Sequence, residues 1–277
     1  MLIKNIAVLA AAVILAAIAV SVYCLYFYSP WQTKPGENIA ADPSWQIVKN
    51  RGKLIAGSDA PYGMMEFFDK DGKIVGLDVD LVNEIARRMG VAVEIRDIDW
   101  DNLFAAVKSG EVDIAISSIG INEERRKEML FSAPYINAGQ VLVIKKENAD
   151  IKGPEDLKNK IVGSQKETTC IAEAAKYVKP ENLKAYASFD DAADKGIFHD
   201  LKVGKLDAVV IGYEAAIGVL KNNHDLKLAG DPFTDDFSGI VTKLGNNSLM
   251  DEINKALRDM QGEGVLKSLE KKWLSPE

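Results

Sequence analysis

The sequence predicts an α/β fold made of two blocks, each a sheet flanked by helices. The first observation is that short apolar runs alternate with amphipathic segments of helical period up to about residue 145, and that the alternation then restarts. The second is that polar and aromatic side chains follow several apolar runs, at the strand ends where ligands bind in open α/β sheets. Strands that alternate with helices pair mostly in parallel, so we expect largely parallel sheets covered on both faces.

Length and composition exclude several classes of function. The chain has 277 residues, enough for one or two domains, and its formal net charge of -7 argues against nucleic acid as a partner. Beyond the first 28 residues the only cysteine is Cys170, so this part of the chain cannot form an internal disulfide. His199 and His224 lack metal-ligand spacing with each other or with Cys170. We therefore expect no metal and no other cofactor, and a monomeric body.

Residues 1–28 are predicted to be a membrane anchor or a signal segment. Residues 6–28 carry no charge and are long enough to cross a bilayer as a helix, with aromatic residues at the far end. A retained anchor is the first interpretation; a cleaved secretory signal and lipidation at Cys24 are the alternatives. All three carry the body out of the cytoplasm. Residues 29–44 include three prolines and are predicted to be a linker.

The first block begins near Trp45. Glycines and polar turns separate its apolar runs, which predicts the following order: strand 53–58, turn 70–73, helix 79–89, strand 91–96, helix 101–108 and strand 114–116. In the first of these helices, Val79, Val82 and Ile85 share one face, and Gly90 ends the pattern.

The second block repeats this alternation after a strand at 140–145. We predict a short helix at 154–158, a strand at 161–163, helices at 168–177 and 190–203, a strand at 208–211 and a helix at 213–221. A strand at 237–242 and two amphipathic helices, 249–260 and 265–273, close the chain and could rejoin the first block.

The ends of the predicted strands supply a candidate anion pocket. Ser117, Ser118 and a glycine-containing turn can donate hydrogen bonds, and the planar guanidinium of Arg125 suits a carboxylate. Trp100 stands just before a helix, where its face could stack on a ligand, and Thr168 and Thr169 begin another helix. The alternatives are a surface arginine, a core indole and an ordinary helix cap.

Several stretches together resemble the periplasmic solute-binding proteins of polar amino acid ABC transporters, of the family 3 type. This group includes the lysine-arginine-ornithine, histidine and glutamine binders, and the resemblance covers residues 45–273 in order. The stretches are D-A-P-Y at 59–62, G-L-D-V-D-L-V-N-E-I-A at 76–86, D-W-D-N-L at 99–103, G-E-V-D-I-A-I-S-S at 110–118, E-R-R-K-E-M-L-F-S-A-P-Y at 124–135, D-L-K-N-K-I-V-G at 156–163, G-K-L-D-A-V-V at 204–210 and K-K-W at 271–273.

The resemblance implies a two-lobed periplasmic-binding-protein type II fold, with two hinge strands joining the lobes and a ligand held between them. Residues 45–138 and 234–277 would form lobe 1, and residues 139–233 lobe 2. The protein would deliver an amino acid or related small carboxylate to an ABC transporter permease. It would act at the periplasmic or extracellular face, tethered to the membrane through residues 6–28.

The resemblance also implies the ligand-binding residues. Tyr62 and Trp100 match the aromatic walls, and Asp59 matches a position that meets the side-chain end of basic amino acids. The carboxylate would be bound by Ser117, Ser118, Gly120 and Arg125, with Thr168 and Thr169 completing that site on closure. Glu66, Glu167, Gly212 and Tyr213 are further candidate contacts.

One departure from the family pattern concerns the ligand's amine. Gly212 stands where the family usually has an aspartate that pairs with the α-ammonium. Either Glu167, or as second candidate Glu214, supplies this carboxylate, or the ligand holds no ammonium there. Gly120 also replaces a frequent serine or threonine.

An enzyme is the competing class, because the same fold hosts an exported dehydratase acting on prephenate and arogenate. Glu167 lies in a loop that could hold a general acid. No second catalytic group is evident, so we predict a binding protein and not an enzyme. A ligand sensor without a transport role is the third alternative.

Overall fold

A computed structural model describes residues 42–137, 139–189 and 195–274. The predicted anchor and almost all of the predicted linker lie outside the described residues, as does the first part of the helix predicted at 190–203. Within the described ranges, no helix has both the length and the apolar character needed to cross a membrane.

Most of the predicted helices lie close to their predicted positions, with differences of a few residues at the ends, but Ser44–Arg51 and Glu123–Glu128 are helices that the sequence did not predict. The helix predicted at 154–158 is a 3₁₀ turn, and the strand predicted at 237–242 consists of two strands, Phe237–Ser238 and Val241–Lys243. In the described part of the chain the helices are α1 (Ser44–Arg51), α2 (Leu77–Met89), α3 (Trp100–Ser109), α4 (Glu123–Glu128), α5 (Thr169–Ala174), α6 (Ile197–Lys202), α7 (Tyr213–Asn222), α8 (Asn247–Gly262) and α9 (Val265–Leu274). Short 3₁₀ turns occur at Pro154–Leu157 and Pro180–Asn182.

The strands form two five-stranded sheets and two smaller pairs. They are β1 (Lys53–Ser58), β2 (Phe67–Phe68), β3 (Ile74–Val75), β4 (Ala92–Asp97), β5 (Ile114–Ala115), β6 (Met129–Phe131), β7 (Ile136–Asn137), β8 (Gln140–Lys145), β9 (Val162–Gln165), β10 (Leu183–Tyr186), β11 (Ala208–Gly212), β12 (Leu226–Leu228), β13 (Phe237–Ser238) and β14 (Val241–Lys243). The turn predicted at 70–73 joins β2 to β3, which pair antiparallel.

The first sheet has the order β4-β1-β5-β14-β6, and the second has the order β10-β9-β11-β8-β12. We call the parts of the described chain built on them the first lobe and the second lobe. The prediction of largely parallel sheets holds only in part. In the first sheet β1 is parallel to β4 and β5, but β14 runs antiparallel to both of its neighbours. In the second, β9 is parallel to β10 and β11, while β8 is antiparallel to β11 and β12.

The antiparallel strands follow from the way the chain crosses between the sheets. It leaves the first sheet after β6, passes through β7, and enters the second sheet at β8. It returns through β13 to β14, and β7 and β13 pair antiparallel. A strand that enters a sheet from the other lobe runs opposite to strands made by local strand-helix-strand units. The residues at which the chain divides into lobes stay a prediction.

Each lobe has its own apolar core. In the first, α2, α8 and α9 cover one face of the sheet, and the fully buried side chains include Leu54, Leu81 and Ile253. In the second, the sheet is covered on two faces by separate apolar clusters, one containing Phe198 and the other Leu157. These cores hold the strand ends of both sheets in place, and the candidate site lies at those ends.

Candidate functional site

A cavity between the two lobes gathers most of the residues that the sequence predicted. It encloses about 450 Å³, including the part open to solvent. The predicted residues that line it are Tyr62, Trp100, Ser117, Ser118, Gly120, Arg125, Thr168 and Thr169, together with the further candidates Asp59 and Gly212. Five additional residues also line it: Gln165, Cys170, Glu214, Asp236 and Ser238.

Arg125 is the cation of this cavity, and the local fold positions it firmly. The side chain of Asn122 caps α4 by accepting a hydrogen bond from the Arg125 backbone N–H at 2.8 Å. The guanidinium donates to the carbonyl oxygens of Gly120, at 2.7 Å, and of Glu167, at 2.6 Å. Since Gly120 belongs to the first lobe and Glu167 to the second, Arg125 bridges the lobes. Its burial lowers the pKa, but an arginine stays charged at neutral pH.

Two aromatic side chains of the first lobe form walls of the cavity. Trp100, the first residue of α3, is 7% exposed, and its ring lies 5.3 Å from the Arg125 guanidinium carbon. The Tyr62 ring packs against Phe189 of the second lobe, with 5.6 Å between the ring centroids. Both rings present apolar surface to a ligand, and Trp100 Nε1 is buried without a hydrogen-bond partner in the described structure.

The serine and threonine side chains predicted to bind the ligand all line the cavity, but each hydroxyl group already forms a hydrogen bond within the protein. Thr168 caps α5 by accepting from the Ile171 N–H, which is the ordinary capping role that the sequence left open. Thr169 donates to Asp236 at 2.6 Å. Ser117 donates to the buried carboxylate of Glu66. These hydroxyls fix the shape of the site, and they can still accept hydrogen bonds from a ligand.

Below Ser117 and Ser118 lies a buried pair of carboxyl groups, Glu66 and Asp78, both fully inaccessible to solvent. Asp78 accepts hydrogen bonds from the Ser118 N–H, at 2.8 Å, and from the Tyr135 hydroxyl, at 3.0 Å. Burial, together with the charge of Asp78, raises the pKa of Glu66 well above its ordinary value. Burial thus favours the protonated form of Glu66. Glu66 supports the Ser117–Ser118 turn from below and does not line the cavity.

Ser118 itself holds an unusual backbone conformation, with a φ of 45°. A residue other than glycine seldom adopts this left-handed region. The hydrogen bond from its N–H to Asp78 stabilises the turn, and its hydroxyl is thereby directed toward Glu214 of the second lobe at 3.2 Å.

At position 212, where the family usually has an aspartate, the space beside the glycine is taken by the side chain of Glu214. A Cβ atom at position 212 would lie 2.6 Å from Glu214 Oε1 and 2.9 Å from Oε2. The Glu214 carboxylate therefore occupies the space that a longer side chain at position 212 would fill. Glu214 is 2% exposed and lines the cavity. Burial raises its pKa to about 8, and the nearby charge of Asp236 contributes.

Glu167 and Tyr213, two of the further candidates, do not line this cavity. The Glu167 side chain is exposed and lies along an open groove outside it, because its backbone, with a φ of 59°, turns the carbonyl and not the carboxylate toward Arg125. Tyr213 packs against the apolar core of the second lobe. Glu214, the second candidate of the sequence argument, is thus the one that reaches the cavity.

Asp59 contributes another carboxylate at the opposite wall. It accepts hydrogen bonds from the Gln165 side chain and the Trp100 backbone N–H. Burial, reinforced by the charges of Asp97 and Asp99, raises its pKa to about 6. Three carboxyl groups thus line a cavity that contains a single arginine: Asp59, Glu214 and Asp236.

Some of the additional lining residues could have been predicted from their position in the sequence, and others could not. Gln165 and Cys170 adjoin Thr168 and Thr169 at a predicted strand end. Asp236 and Ser238 lie in and beside β13 on the return crossing, and no local pattern marks them. Cys170 is buried as a free thiol. No group of three or more metal-ligating side chains occurs within residues 42–137, 139–189 and 195–274.

Comparison with known proteins agrees with this geometry. Residues 54–276 match the model of the bacterial extracellular solute-binding proteins, family 3. The chain is 33% identical over 232 residues to the L-cystine-binding protein TcyJ of Escherichia coli strain K12, covering 83% of this chain and 85% of that protein.

Two solved structures are also similar. One is an ancestral arginine-binding protein bound to glutamine, with a TM-score of 0.74 and 38% identity, covering 80% of this chain and 98% of that one. The other is an ancestral amino acid-binding protein described as a precursor of cyclohexadienyl dehydratase, with a TM-score of 0.75 and 31% identity, covering 84% of this chain and 100% of that one. The predicted two-lobed α/β fold is confirmed.

Proposed function

This chain belongs to family 3 of the bacterial extracellular solute-binding proteins, and we propose that it captures a single amino acid between its lobes for an ABC transporter permease. The observation that carries this proposal is the arrangement around Arg125. A half-buried guanidinium with two hydrogen bonds to backbone carbonyls keeps further N–H donors for a carboxylate. Aromatic walls at Tyr62 and Trp100 and a carboxylate at Glu214 complete a site suited to a small zwitterion.

The charge balance of the cavity supports a ligand with a net positive charge. Asp59, Glu214 and Asp236 outnumber the single Arg125. Burial raises the pKa of Glu214 to about 8, and a ligand ammonium beside it favours the ionised form of this carboxyl group. When the ligand's carboxylate pairs with Arg125 and its ammonium pairs with one acidic group, further acidic groups are left for a cationic side chain. Basic amino acids therefore fit better than acidic ones, since a second ligand carboxylate would meet only like charges.

Closure of the lobes is the proposed mechanism of capture. Arg125, on the first lobe, donates to the carbonyl of Glu167 on the second, and Ser118 donates to Glu214 across the same gap. A ligand that contacts both lobes stabilises this arrangement in proportion to its preference for it. The closed surface then docks on the permease. We further propose that the body is monomeric and that residues 1–28 tether it at the outer face of the membrane, raising its effective concentration near the permease.

A thermal-shift screen of the purified chain against the twenty amino acids, small carboxylates and amines tests this function. A ligand present at a thousand times its Kd adds about 4 kcal/mol, which corresponds to a rise in Tm of about 8 °C or more for a body of this size. We expect the basic amino acids to give the largest shifts. If no amino acid shifts the Tm, the proposal is wrong.

The variant Arg125→Gln tests whether Arg125 binds the ligand's carboxylate. Lys127→Gln is its matched control, because Lys127 is exposed on the same helix and this substitution also removes a positive charge. Two charge-assisted hydrogen bonds contribute about 3 kcal/mol, so we expect Arg125→Gln to weaken L-arginine binding about 100-fold in calorimetry. Lys127→Gln should bind as the original chain does. Equal affinities for the two variants would contradict the role of Arg125.

Catalysis is the second candidate, favoured only by the similarity to the dehydratase precursor. We propose that this chain binds without turnover, since its similar relatives include the L-cystine-binding protein TcyJ and an ancestral arginine-binding protein. Incubation with prephenate, followed by absorbance of phenylpyruvate in alkali, tests this directly. Enzyme-dependent phenylpyruvate would overturn the assignment as a binding protein alone.

A further inference from the structure

We propose that Glu214 is the acceptor for the ligand's α-ammonium in this chain, reaching into the cavity through the space left by glycine at position 212. This inference rests on the proposed capture of an amino acid, and it names the residue that recognises the amine. It assigns this role to the second of the two glutamates that the sequence offered in place of the family's usual aspartate at position 212.

The first support is steric. Gly212 ends β11, and a Cβ atom there would come within 3.0 Å of three atoms of the Glu214 carboxylate: Oε1, Oε2 and Cδ. A side chain at position 212 and the present position of Glu214 therefore exclude each other. The two residues act as one unit, in which the carboxylate comes from the second residue of α7 and not from the end of the strand.

The second support is an unmet hydrogen-bonding capacity. Glu214 is 2% exposed, and its Oε2 atom has no hydrogen-bond partner among the described residues. Its Oε1 atom accepts a 3.2 Å hydrogen bond from the Ser118 hydroxyl, and the backbone N–H of Glu214 also donates to this carboxyl group. A buried carboxylate oxygen without a donor is costly, and an ammonium supplies three donors. The side chain lines the cavity, so a ligand can meet it there.

The close packing of α7 against the first lobe brings Glu214 to this place. A Cβ atom on Gly218 would lie 2.6 Å from the carbonyl carbon of Gly63, and one on Gly63 would lie 2.5 Å from the Cα of Ala215. Glycine at both contact positions lets the two backbones touch. As a result the first turn of α7, which carries Glu214, reaches the cavity that Tyr62 also lines.

Asp236 is the rival acceptor, because it also lines the cavity. Its Oδ2 atom already accepts hydrogen bonds from the Thr169 hydroxyl, at 2.6 Å, and from the Gln140 amide, at 2.9 Å. Both hydrogen bonds are to Oδ2, and they hold the Asp236 side chain beside Thr169. Glu214 therefore has the greater need for a ligand donor, and Asp236→Asn is the comparison that separates the two.

The test uses ligand pairs that differ only in the α-ammonium. L-arginine is compared with 5-guanidinopentanoate, and L-glutamine with 5-amino-5-oxopentanoate, by calorimetry on the full chain. For the original chain we expect each amino acid to bind at least about 30-fold more tightly than its analogue, which corresponds to loss of one buried charge pair. In Glu214→Gln this preference should fall to near one, while Asp236→Asn should keep it.

A purely structural role for Glu214 would weaken the amino acid and its analogue equally and leave the preference intact. That result, or loss of the preference in Asp236→Asn and not in Glu214→Gln, would overturn the inference. Moving the carboxylate from position 214 to position 212 gives an independent check. The double variant Gly212→Asp, Glu214→Ala should bind the amino acid at least tenfold more tightly than Glu214→Ala alone. If the thermal-shift screen gives a different amino acid as the ligand, that amino acid and its analogue without the α-ammonium replace these pairs. If no amino acid binds the original chain, the proposed function fails, whereas binding with an unchanged preference in Glu214→Gln overturns this inference alone.

Discussion

Gly218→Ala is predicted to weaken ligand binding without harming the fold. Gly218 lies within α7, one turn after Glu214, and points at the backbone of the first lobe. An added Cβ atom would lie 2.6 Å from the carbonyl carbon of Gly63 and 2.7 Å from the amide nitrogen of Met64, where ordinary contacts begin at 3.4 Å. Backbone atoms cannot rotate away as a side chain can, so the two lobes must separate by about 0.8 Å to accommodate it.

The cost of this separation falls on the closed arrangement alone. Inserting a methyl group into a close contact typically costs about 1–3 kcal/mol, which corresponds to a rise in Kd of about 5- to 150-fold. When the lobes are apart, alanine in the interior of α7 should stabilise the helix by up to about 1 kcal/mol relative to glycine. The Tm without ligand should therefore stay equal or rise by about 2–4 °C.

Calorimetry with L-arginine measures the first effect, and a thermal melt without ligand measures the second. Gly262→Ala is the matched control, because Gly262 is also helical but a Cβ atom there meets nothing within 4 Å. Small-angle scattering with saturating ligand should show a larger radius of gyration for Gly218→Ala than for Gly262→Ala. Equal affinities for the two variants would refute the idea that the Gly63–Gly218 contact belongs to the ligand-bound state.

Three further predictions concern buried and exposed polar groups. Tyr135→Phe removes the hydroxyl that donates to Asp78 at 3.0 Å and should lower the free energy of unfolding by about 2 kcal/mol in urea; an unchanged value would show that Asp78 does not depend on it. Burial raises the pKa of Glu214 to about 8, so between about pH 5 and pH 8 the folded chain holds a proton that the unfolded chain releases. The free energy of unfolding, measured relative to that of Glu214→Gln, should therefore fall as the pH rises from about 5 to 8, by at most about 1.4 kcal/mol per pH unit. A constant difference across urea titrations at pH 5.5, 6.5 and 7.5 would contradict this. Lys166→Ala breaks an exposed ion pair with Asp101 that crosses the lobes at 2.6 Å, and L-arginine affinity should change less than about fivefold; a larger loss in calorimetry would give this pair a role in closure.

Two strands with continuous apolar runs, β1 and β8, were predictable to the residue, while β5, β9 and β11 differ from their predicted bounds by one or two residues. β1 and β8 have the predicted bounds, because each run is apolar on both faces and ends at a glycine, serine or charged residue. α4, with the sequence E-E-R-R-K-E, was not predicted since it buries no side chain and shows no apolar period. It is stabilised by the Asn122 cap and by acidic residues in its first turn, which act without hydrophobic burial.

The site was predictable where its residues follow a strand of the same lobe. Ser117, Ser118 and Arg125 come from one continuous stretch after β5, so the sequence places them together. Asp236 reaches the cavity only because β13 pairs with β7 on the return crossing, which is a contact between residues about one hundred positions apart. No local pattern encodes such a pairing.

The two glutamates named from the sequence as candidates for the amine site lie in different places in the structure. Glu167 precedes Thr168 in a loop at a strand end, which favoured it from sequence, but its backbone conformation directs the carbonyl inward and leaves the side chain exposed. Glu214 reaches the cavity because position 212 has no side chain and because α7 packs closely on Gly63. Both conditions depend on the spatial arrangement of two lobes.

The measurement that tests the central claim most directly is the affinity ratio between L-arginine and L-argininamide, determined by calorimetry for the original chain and for Arg125→Gln. The amide lacks the carboxylate but keeps the ammonium and the side chain. If Arg125 binds the carboxylate between the lobes, the original chain should prefer L-arginine about 100-fold, and Arg125→Gln should show almost no preference. An equal preference in both proteins would contradict the assignment of Arg125 as the carboxylate partner.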